Sequence, residues 1–497
     1  ATTAEDLPLA SVHAENGGYA GEGKPVFLLG AAVAGPDDAQ RLKRYGLNYG
    51  VVTIHPADAL TPGADKDLGA TYGALFGALA NANLASSVDL AAGDLAGWPL
   101  ERWPDAQREG FVNLAREDVQ ALVSRHLKAV LPFVKVQRGI VGVGLLNNPK
   151  FKFEGDRIHR QFIEQVETMY PDRQKLNALW ASHLASFEDI TMWGHFVDGR
   201  ADKKIPEYHY ENKRAYTFDF TAYHLGLMAE YLNGLATQAR AIAPELPLTV
   251  TLPDTAFDKG ETTYSPDREN IARSFDYTSC TLGTGAADPV YGLAYPHASA
   301  VLTLLQSFDR TKPVNLERLD IPVDDAMDAT AMYDYVQSAV WNTVIDGADA
   351  LALAPESPIF AHPAALEAYA AAALDINRLA PTVLALQQAP TDVAVLYSDS
   401  SKILDAGDPH LKSCSFAYEG ASFSGLTVRF LTERQATEDK LEPKSILVLP
   451  QTPALRGETF AKLESFVDGG GVAARVGCSQ ERCVRRSDVA PRSRCCC

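Results

Sequence analysis

The sequence is short of cysteine: it has 7 in 497 residues, and only Cys280 and Cys414 precede residue 478. Two cysteines so far apart do not make a disulfide framework, so an apolar core has to hold the fold. No apolar run approaches the roughly 20 residues that span a bilayer, which argues against a membrane-spanning protein. Positive charge is also scarce. The chain has 45 Lys and Arg against 63 Asp and Glu, a formal net charge of −18 at pH 7. That balance argues against nucleic acid or an anionic surface as the main partner, and against a heavily sulfated substrate unless a local basic patch overrides it. Internal repeats and low-complexity segments are lacking too. What remains is an ordinary globular composition, 46% hydrophobic, in a chain of 497 residues that has room for more than one sizeable core.

Neither end is assigned a function. The start, Ala1-Thr-Thr-Ala-Glu-Asp6, reads as a processed or trimmed end. A removed signal peptide, and with it secretion or the periplasm, is one alternative, and a cytoplasmic protein is the other. The last segment, 478–497, holds Cys478, Cys483 and Cys495 to Cys497 and is basic in an acidic protein. It reads as an altered or out-of-frame end of a longer chain, with a metal or redox site as the competing reading.

Between the ends, strand-like apolar segments begin near residues 26, 51, 84, 140, 248, 276, 314 and 350, with helical patterns between them. Short strands alternating with helices argue for a parallel sheet, and this number of them argues for a (β/α)8 TIM barrel over residues 1–385. A helix from Ala364 to Leu379 would close it. A mostly helical, aromatic-rich insertion is expected at about 150–244. A second α/β pattern starts near Pro390, with strands at Asp392–Tyr397 and Ser445–Leu449, a helix at Thr459–Val467 and a turn at Asp468–Gly471. It reads as a partial doubly wound domain over 390–477 with too few strands for a complete sheet.

In such a barrel the C-terminal strand ends face the active site. The fourth strand, Ile140 to Leu146, ends in Asn147-Asn148-Pro149, and the seventh runs Pro313-Val-Asn-Leu-Glu317-Arg318. Two carboxyl groups about 5–5.5 Å apart hydrolyse a glycosidic bond with retention, one as nucleophile and one as acid/base. Glu317 suits the nucleophile, with Arg318 or a nearby tyrosine to hold it ionised. The structural alternative is a barrel-mouth Glu317 salt-bridged to Arg318.

These segments resemble a family. Gly144-Leu-Leu-Asn147-Asn148-Pro149 resembles the Asn-Glu-Pro signature of clan A glycoside hydrolases, and Lys312-Pro-Val-Asn-Leu-Glu317 resembles their nucleophile strand. The helix Asp172-Arg-Gln-Lys-Leu-Asn-Ala-Leu-Trp180 and the segment Phe218-Asp-Phe-Thr-Ala-Tyr223 are similar to two segments of family 42 β-galactosidases. Asp392 to Tyr397 is similar to the first strand of that family's flavodoxin-like trimerisation domain. The resemblance covers roughly 24–477, in the family's order. It implies a retaining exo-acting β-glycosidase, with β-galactosides as the default substrate. An agarase-like or β-mannosidase-like exo-enzyme and a retired carbohydrate-binding barrel are the alternatives. It further implies a carbohydrate partner, association as a dimer or trimer, and no cofactor, because the family's zinc cysteines are missing.

The resemblance makes Glu317 the nucleophile and position 148 the acid/base, where this chain has Asn148 in place of Glu. An amide cannot donate a proton to a leaving oxygen at neutral pH. Three readings stay open: a replacement made to trap substrate, a divergence in which another acid serves, or a barrel that binds sugar without cleaving it. Glu154, Asp156 and Glu188 lie nearby in sequence, and none is an evident strand-end residue. Asn147 is implied to hydrogen-bond the sugar 2-hydroxyl, or else it caps the turn. His55 ends the second strand and would contact a hydroxyl, or else it is a satisfied buried histidine. Tyr277, Tyr291 and Tyr295 surround the sixth strand, where the clan often has a tyrosine bonded to the nucleophile. Trp98, Trp103, Trp193 and Trp341 are candidate stacking platforms, with packing as the alternative for each. His209 and Tyr210 are candidates to line the cleft.

Overall fold

A computed structural model of the chain describes residues 12–61, 64–93, 98, 107–108, 111–151, 156–190, 196–197, 200–201, 213–258, 266–284, 295–404 and 408–476. Eight parallel strands close into a barrel in chain order: β1 Leu28–Val33, β2 Tyr49–Thr53, β3 Ala85–Asp89, β4 Ile140–Asn147, β5 Leu248–Leu252, β6 Thr278–Gly283, β7 Val314–Asp320 and β8 Ala350–Leu353. The molecule is therefore a (β/α)8 barrel. Its strands are near-continuous apolar runs because both faces are covered, one by helices and one by the barrel interior.

Helices wrap the barrel, and their sequences explain why they start and stop. In α1, Pro36–Arg44, a proline opens the first turn, Asp38 Oδ2 accepts from the Gly35 N–H at 3.0 Å, and Lys43 and Arg44 sit at the negative end. In α3, Glu117–Val134, the residues Val119, Val123, Leu127, Val130, Leu131 and Val134 make one buried face. That face carries the helix through to Val134. Helix α2 is Leu68–Asn81.

After β4 come α4 Asp156–Met169, α5 Arg173–Trp180 and the long α6 Lys213–Ile242. The insertion has its own core of Ile158, Phe162, Leu176, Trp180, Tyr216 and Tyr223, among others. Trp180 Nε1 donates to Asp219 Oδ2 at 2.8 Å, and Tyr170 Oη reaches the same carboxylate at 3.1 Å. The later part of α6 packs Met228, Leu232, Leu235 and Ala239 into the main core instead. One helix is thus both the wall of the insertion and the barrel's fourth helix. The next helices are α7 Arg268–Ser274, α8 Tyr295–Phe308, α9 Ala329–Ile345 and α10 Pro363–Arg378.

Two strand boundaries differ from expectation. The first barrel strand begins at Leu28 rather than near residue 26 and runs through Gly30-Ala-Ala. A Cβ at Gly30 would meet the Tyr49 carbonyl oxygen at 1.6 Å, so only glycine lets β1 and β2 approach there. The seventh strand continues past Glu317 to Asp320. A small antiparallel sheet, His13–Glu15, Gly18–Gly21 and Lys24–Val26, precedes the barrel and was not expected. It brings buried Tyr19 against Leu28, Tyr49, Val141 and Ala350, where Asn315 Nδ2 donates to the tyrosine hydroxyl at 2.8 Å and helps seal the lower end of the barrel.

A second sheet follows: β9 Val393–Tyr397, β10 Val428–Thr432, β11 Ile446–Pro450 and β12 Val472–Val476, ordered β10-β9-β11-β12 and parallel throughout. This is the start of the doubly wound 2-1-3-4-5 order. The main apolar core is continuous from the barrel into this sheet through Val393, Val395, Tyr397 and Phe430. Tyr397 Oη donates to the Ala256 carbonyl at 2.9 Å.

Candidate active site

The site grows from an irregularity in β7. Leu316 pairs with Cys280 of β6 and Arg318 with Thr281, so the register skips Glu317. A bulge of this kind re-aims a side chain. Here it turns Glu317 into the barrel, where the residue is only 6% exposed. Its Oε1 accepts from Tyr277 Oη at 3.1 Å. Its Oε2 is buried with no hydrogen-bond partner among the described residues. Arg318 faces away and pairs with Asp320 at 3.4 Å and with Glu356. The salt-bridge alternative for Glu317 therefore fails, and a tyrosine rather than the arginine contacts the carboxylate.

The fourth strand makes room for this arrangement. A Cβ at Gly142 would stand 2.4 Å from Tyr277 Oη, so that phenol fits only against a glycine. A Cβ at Gly144 would stand 3.7 Å from Glu317 Oε2 and 3.8 Å from Asp89 Oδ1. Two carboxylates, one from β7 and one from the end of β3, therefore face the same gap above Gly144. Asp89 is half-buried; its Oδ1 accepts the Ala91 N–H at 2.8 Å and its Oδ2 accepts Asn147 Nδ2 at 3.3 Å.

Burial pushes the Glu317 carboxyl up to about 8, and the negative charge of Asp89 adds to the rise. The Tyr277 and Ser87 hydroxyls pull the other way without overcoming it. Burial likewise raises the Tyr277 phenol well above its usual value, with the Glu317 charge next in importance. The empty site thus holds two carboxyl groups whose charges oppose each other, the arrangement that separates an acid from a base.

The other candidates fall in different places. Asn147 is partly buried, and its Oδ1 has no partner among the described residues. Asn148 is exposed, has the left-handed φ of 44°, and donates its backbone N–H to the Thr251 carbonyl at 2.8 Å. His55 ends β2 as the cap of the short helix Pro56–Ala59, with Nδ1 buried and unpartnered among the described residues. Trp98 is buried in the main core, and its Nε1 donates to the Ala92 carbonyl at 3.1 Å. Trp341 packs on the outer helix α9, near the end that leads down into β8. Neither placement offers a platform beside Glu317. Tyr291, Trp103, Trp193, Glu154, His209 and Tyr210 lie outside the described residues, as does the side chain of Tyr295.

Sequence reasoning missed Asp89, Ser87 and the role of the two glycines. The available signal was Ser86-Ser87-Val88-Asp89, a strand too polar for a plain packing role. Among the described residues no three His, Cys, Asp or Glu side chains cluster as metal ligands, and no helix is long and apolar enough to cross a membrane. A cavity of about 540 Å³ lies elsewhere, where the barrel meets the second sheet. Arg273 pairs there with Glu438 at 2.9 Å and Arg310 with Glu442 at 3.5 Å.

No family model matches the sequence, and no curated protein matches it. Solved structures do match its shape. A family 42 exo-carrageenase from Bacteroides ovatus superposes with a TM-score of 0.73 at 15% identity, covering 94% of this chain and 68% of that one. A β-galactosidase from Rahnella sp. R3 gives 0.72 at 14%, covering 91% and 71%. An exo-β-1,4-mannosidase from an Opitutaceae bacterium gives 0.56 at 12%, covering 90% and 77%. At such identities the likeness carries the fold alone, and the fold shared with these structures is the (β/α)8 barrel.

Proposed function

We propose that the protein is a retaining glycoside hydrolase that removes a terminal β-linked sugar, with β-galactosides as the first substrate class to test. The observation that carries this reading is the pairing of Glu317 Oε1 with the Tyr277 hydroxyl at 3.1 Å, with Oε2 buried inside the barrel and without a partner among the described residues. A tyrosine that donates to one oxygen favours the ionised carboxylate and leaves the other oxygen to attack. Glu317 would form a bond to the anomeric carbon as the glycosidic bond breaks, and water would then displace it. Asn147 sits one strand away from Asp89 with an unsatisfied carbonyl, suited to a sugar hydroxyl. In the same reading residues 390–477 are the part through which copies associate as a dimer or trimer.

A 2-deoxy-2-fluoro β-galactoside with a good leaving group tests the nucleophile, because such a reagent forms the covalent intermediate and then stalls. The expected result is a mass adduct on the Glu317 peptide. A panel of aryl glycosides, including β-mannosides, identifies the sugar. No adduct and no hydrolysis across the panel would favour the binding-only reading, which the amide at Asn148 supports.

A further inference from the structure

We propose that Asp89 exchanges the proton with the glycosidic oxygen, in the role that the amide at position 148 cannot fill. This inference rests on the glycosidase reading of Glu317. Position carries it. Asp89 ends β3 and pairs in register with Gly144 of β4, whose missing side chain opens the space between the two carboxylates. Their facing oxygens lie 3.8 and 3.7 Å from the point a Gly144 Cβ would occupy. They are therefore no farther apart than those distances end to end, a bound that admits the separation of about 5–5.5 Å of a retaining pair.

The environments divide the labour. Glu317 is deep, its free oxygen sealed from solvent within the barrel. Asp89 is half-buried at the strand end, nearer to solvent than Glu317. Asn147 and the Ala91 N–H hold its carboxylate in place. Groups that face the pair include the Tyr277 hydroxyl on Glu317, Thr251 Oγ1 at 3.4 Å from the same Gly144 point, and Ser87, which accepts from Tyr49 Oη at 2.6 Å. Burial raises the Glu317 carboxyl when the site is empty. The positive charge that develops at the anomeric carbon favours ionised Glu317 as it attacks.

The steps balance. As Glu317 bonds to the anomeric carbon, the glycosidic C–O bond breaks and the Asp89 proton passes to the departing oxygen. Asp89 then takes a proton from water as the water oxygen bonds to the anomeric carbon and the Glu317 ester bond breaks. The product is the free sugar, and Asp89 is protonated again.

Leaving-group dependence tests the assignment. Asp89→Asn and Asp89→Ala proteins would be assayed on phenyl and 2,4-dinitrophenyl glycosides of the sugar found in the panel. An acid is needed for the first and hardly for the second. The expected loss in kcat/KM is about 10²–10⁴-fold on the phenyl glycoside, with kcat/KM for the dinitrophenyl glycoside retained because the water step, common to both, does not enter it. Azide should restore turnover of Asp89→Ala and give the β-glycosyl azide. Equal losses on both substrates with no azide product, or no loss on either, would overturn the proposal. Labelling of both variants at Glu317 by the fluoro reagent shows that they are folded. If the wild-type protein is neither labelled nor active, the glycosidase reading itself fails; if it is labelled and the losses ignore the leaving group, only Asp89 fails.

Discussion

The ends of β3 and β4 lie side by side, in register at Asp89 and Gly144, and they differ in what they contribute. The end of β4 carries the more familiar string of residues, Asn147-Asn148-Pro149, but Asn148 is exposed and in a left-handed turn. The end of β3 carries no recognisable string, yet its Asp89 charge acts directly on Glu317. A sequence motif marks a place on the barrel. Which residue serves there depends on burial and charge, and those belong to the neighbouring strands as much as to the motif.

Removing the carboxylate common to both comparisons has the largest effect. Glu317→Gln should lower kcat/KM by at least about a thousand-fold and abolish labelling by the fluoro reagent, because it deletes the attacking atom. The same substitution should stabilise the fold in a pH-dependent way. The folded carboxyl titrates at about 8, above the usual glutamate value, so the native state keeps a proton that the unfolded chain has lost. Stability therefore falls as pH rises from about 4 to about 8, by an amount on the order of a few kcal/mol. Melting curves of the Gln variant and the wild type should nearly coincide at pH 4 and separate by pH 8. A constant gap would show that Glu317 is not held in this environment.

A double replacement sharpens the contrast between the two strand ends. Asn148→Glu should raise activity on a phenyl glycoside modestly in the wild type, and by about 10–100-fold in the Asp89→Asn background. Large gains in both backgrounds would return the acid/base role to position 148. This comparison needs only steady-state rates on one substrate.

How much of this could be read from the chain varies with the kind of feature. The eight barrel strands were legible from their alternation with helical patterns, most of them as apolar runs, and the Asn148 and Glu317 segments fall on the fourth and seventh as expected. The continuation of β7 to Asp320 was not legible, since it depends on pairing with β6 around a bulge. Tyr277 could not be chosen among three tyrosines, because the choice rests on which one the Gly142 gap admits. Trp180 and Asp219, within segments that carried the family resemblance, turned out to bond to each other inside the insertion core. Asp89 escaped notice because a single aspartate at a strand end looks like any turn cap. The N-terminal sheet was missed because its strands, such as His13–Glu15, are too short for a period to show.

The fit around Tyr277 gives an intermediate effect. Gly142→Ala would push a methyl group to within 2.4 Å of the phenol oxygen. Overpacking of this sort costs about 1–3 kcal/mol. The displaced tyrosine should also donate less well to Glu317, so its carboxyl rises further and the acidic limb of the pH–rate profile moves to higher pH. Tyr277→Phe should move that limb the same way without the packing loss. If Phe leaves the limb in place, the hydroxyl does not hold the nucleophile.

The smallest effect concerns the backbone at Asn148 itself. Its φ of 44° lies in the region that asparagine and glycine enter readily and other residues do not. Asn148→Ala should therefore cost about 1 kcal/mol of stability, and Asn148→Gly no more than a few tenths. Denaturant midpoints of the two variants would give the difference directly. Equal losses would mean that the amide is kept for a side-chain contact; the expected order would mean that the turn, as well as any sugar, selects asparagine at the end of β4. A glutamate installed there would meet the same backbone strain as alanine.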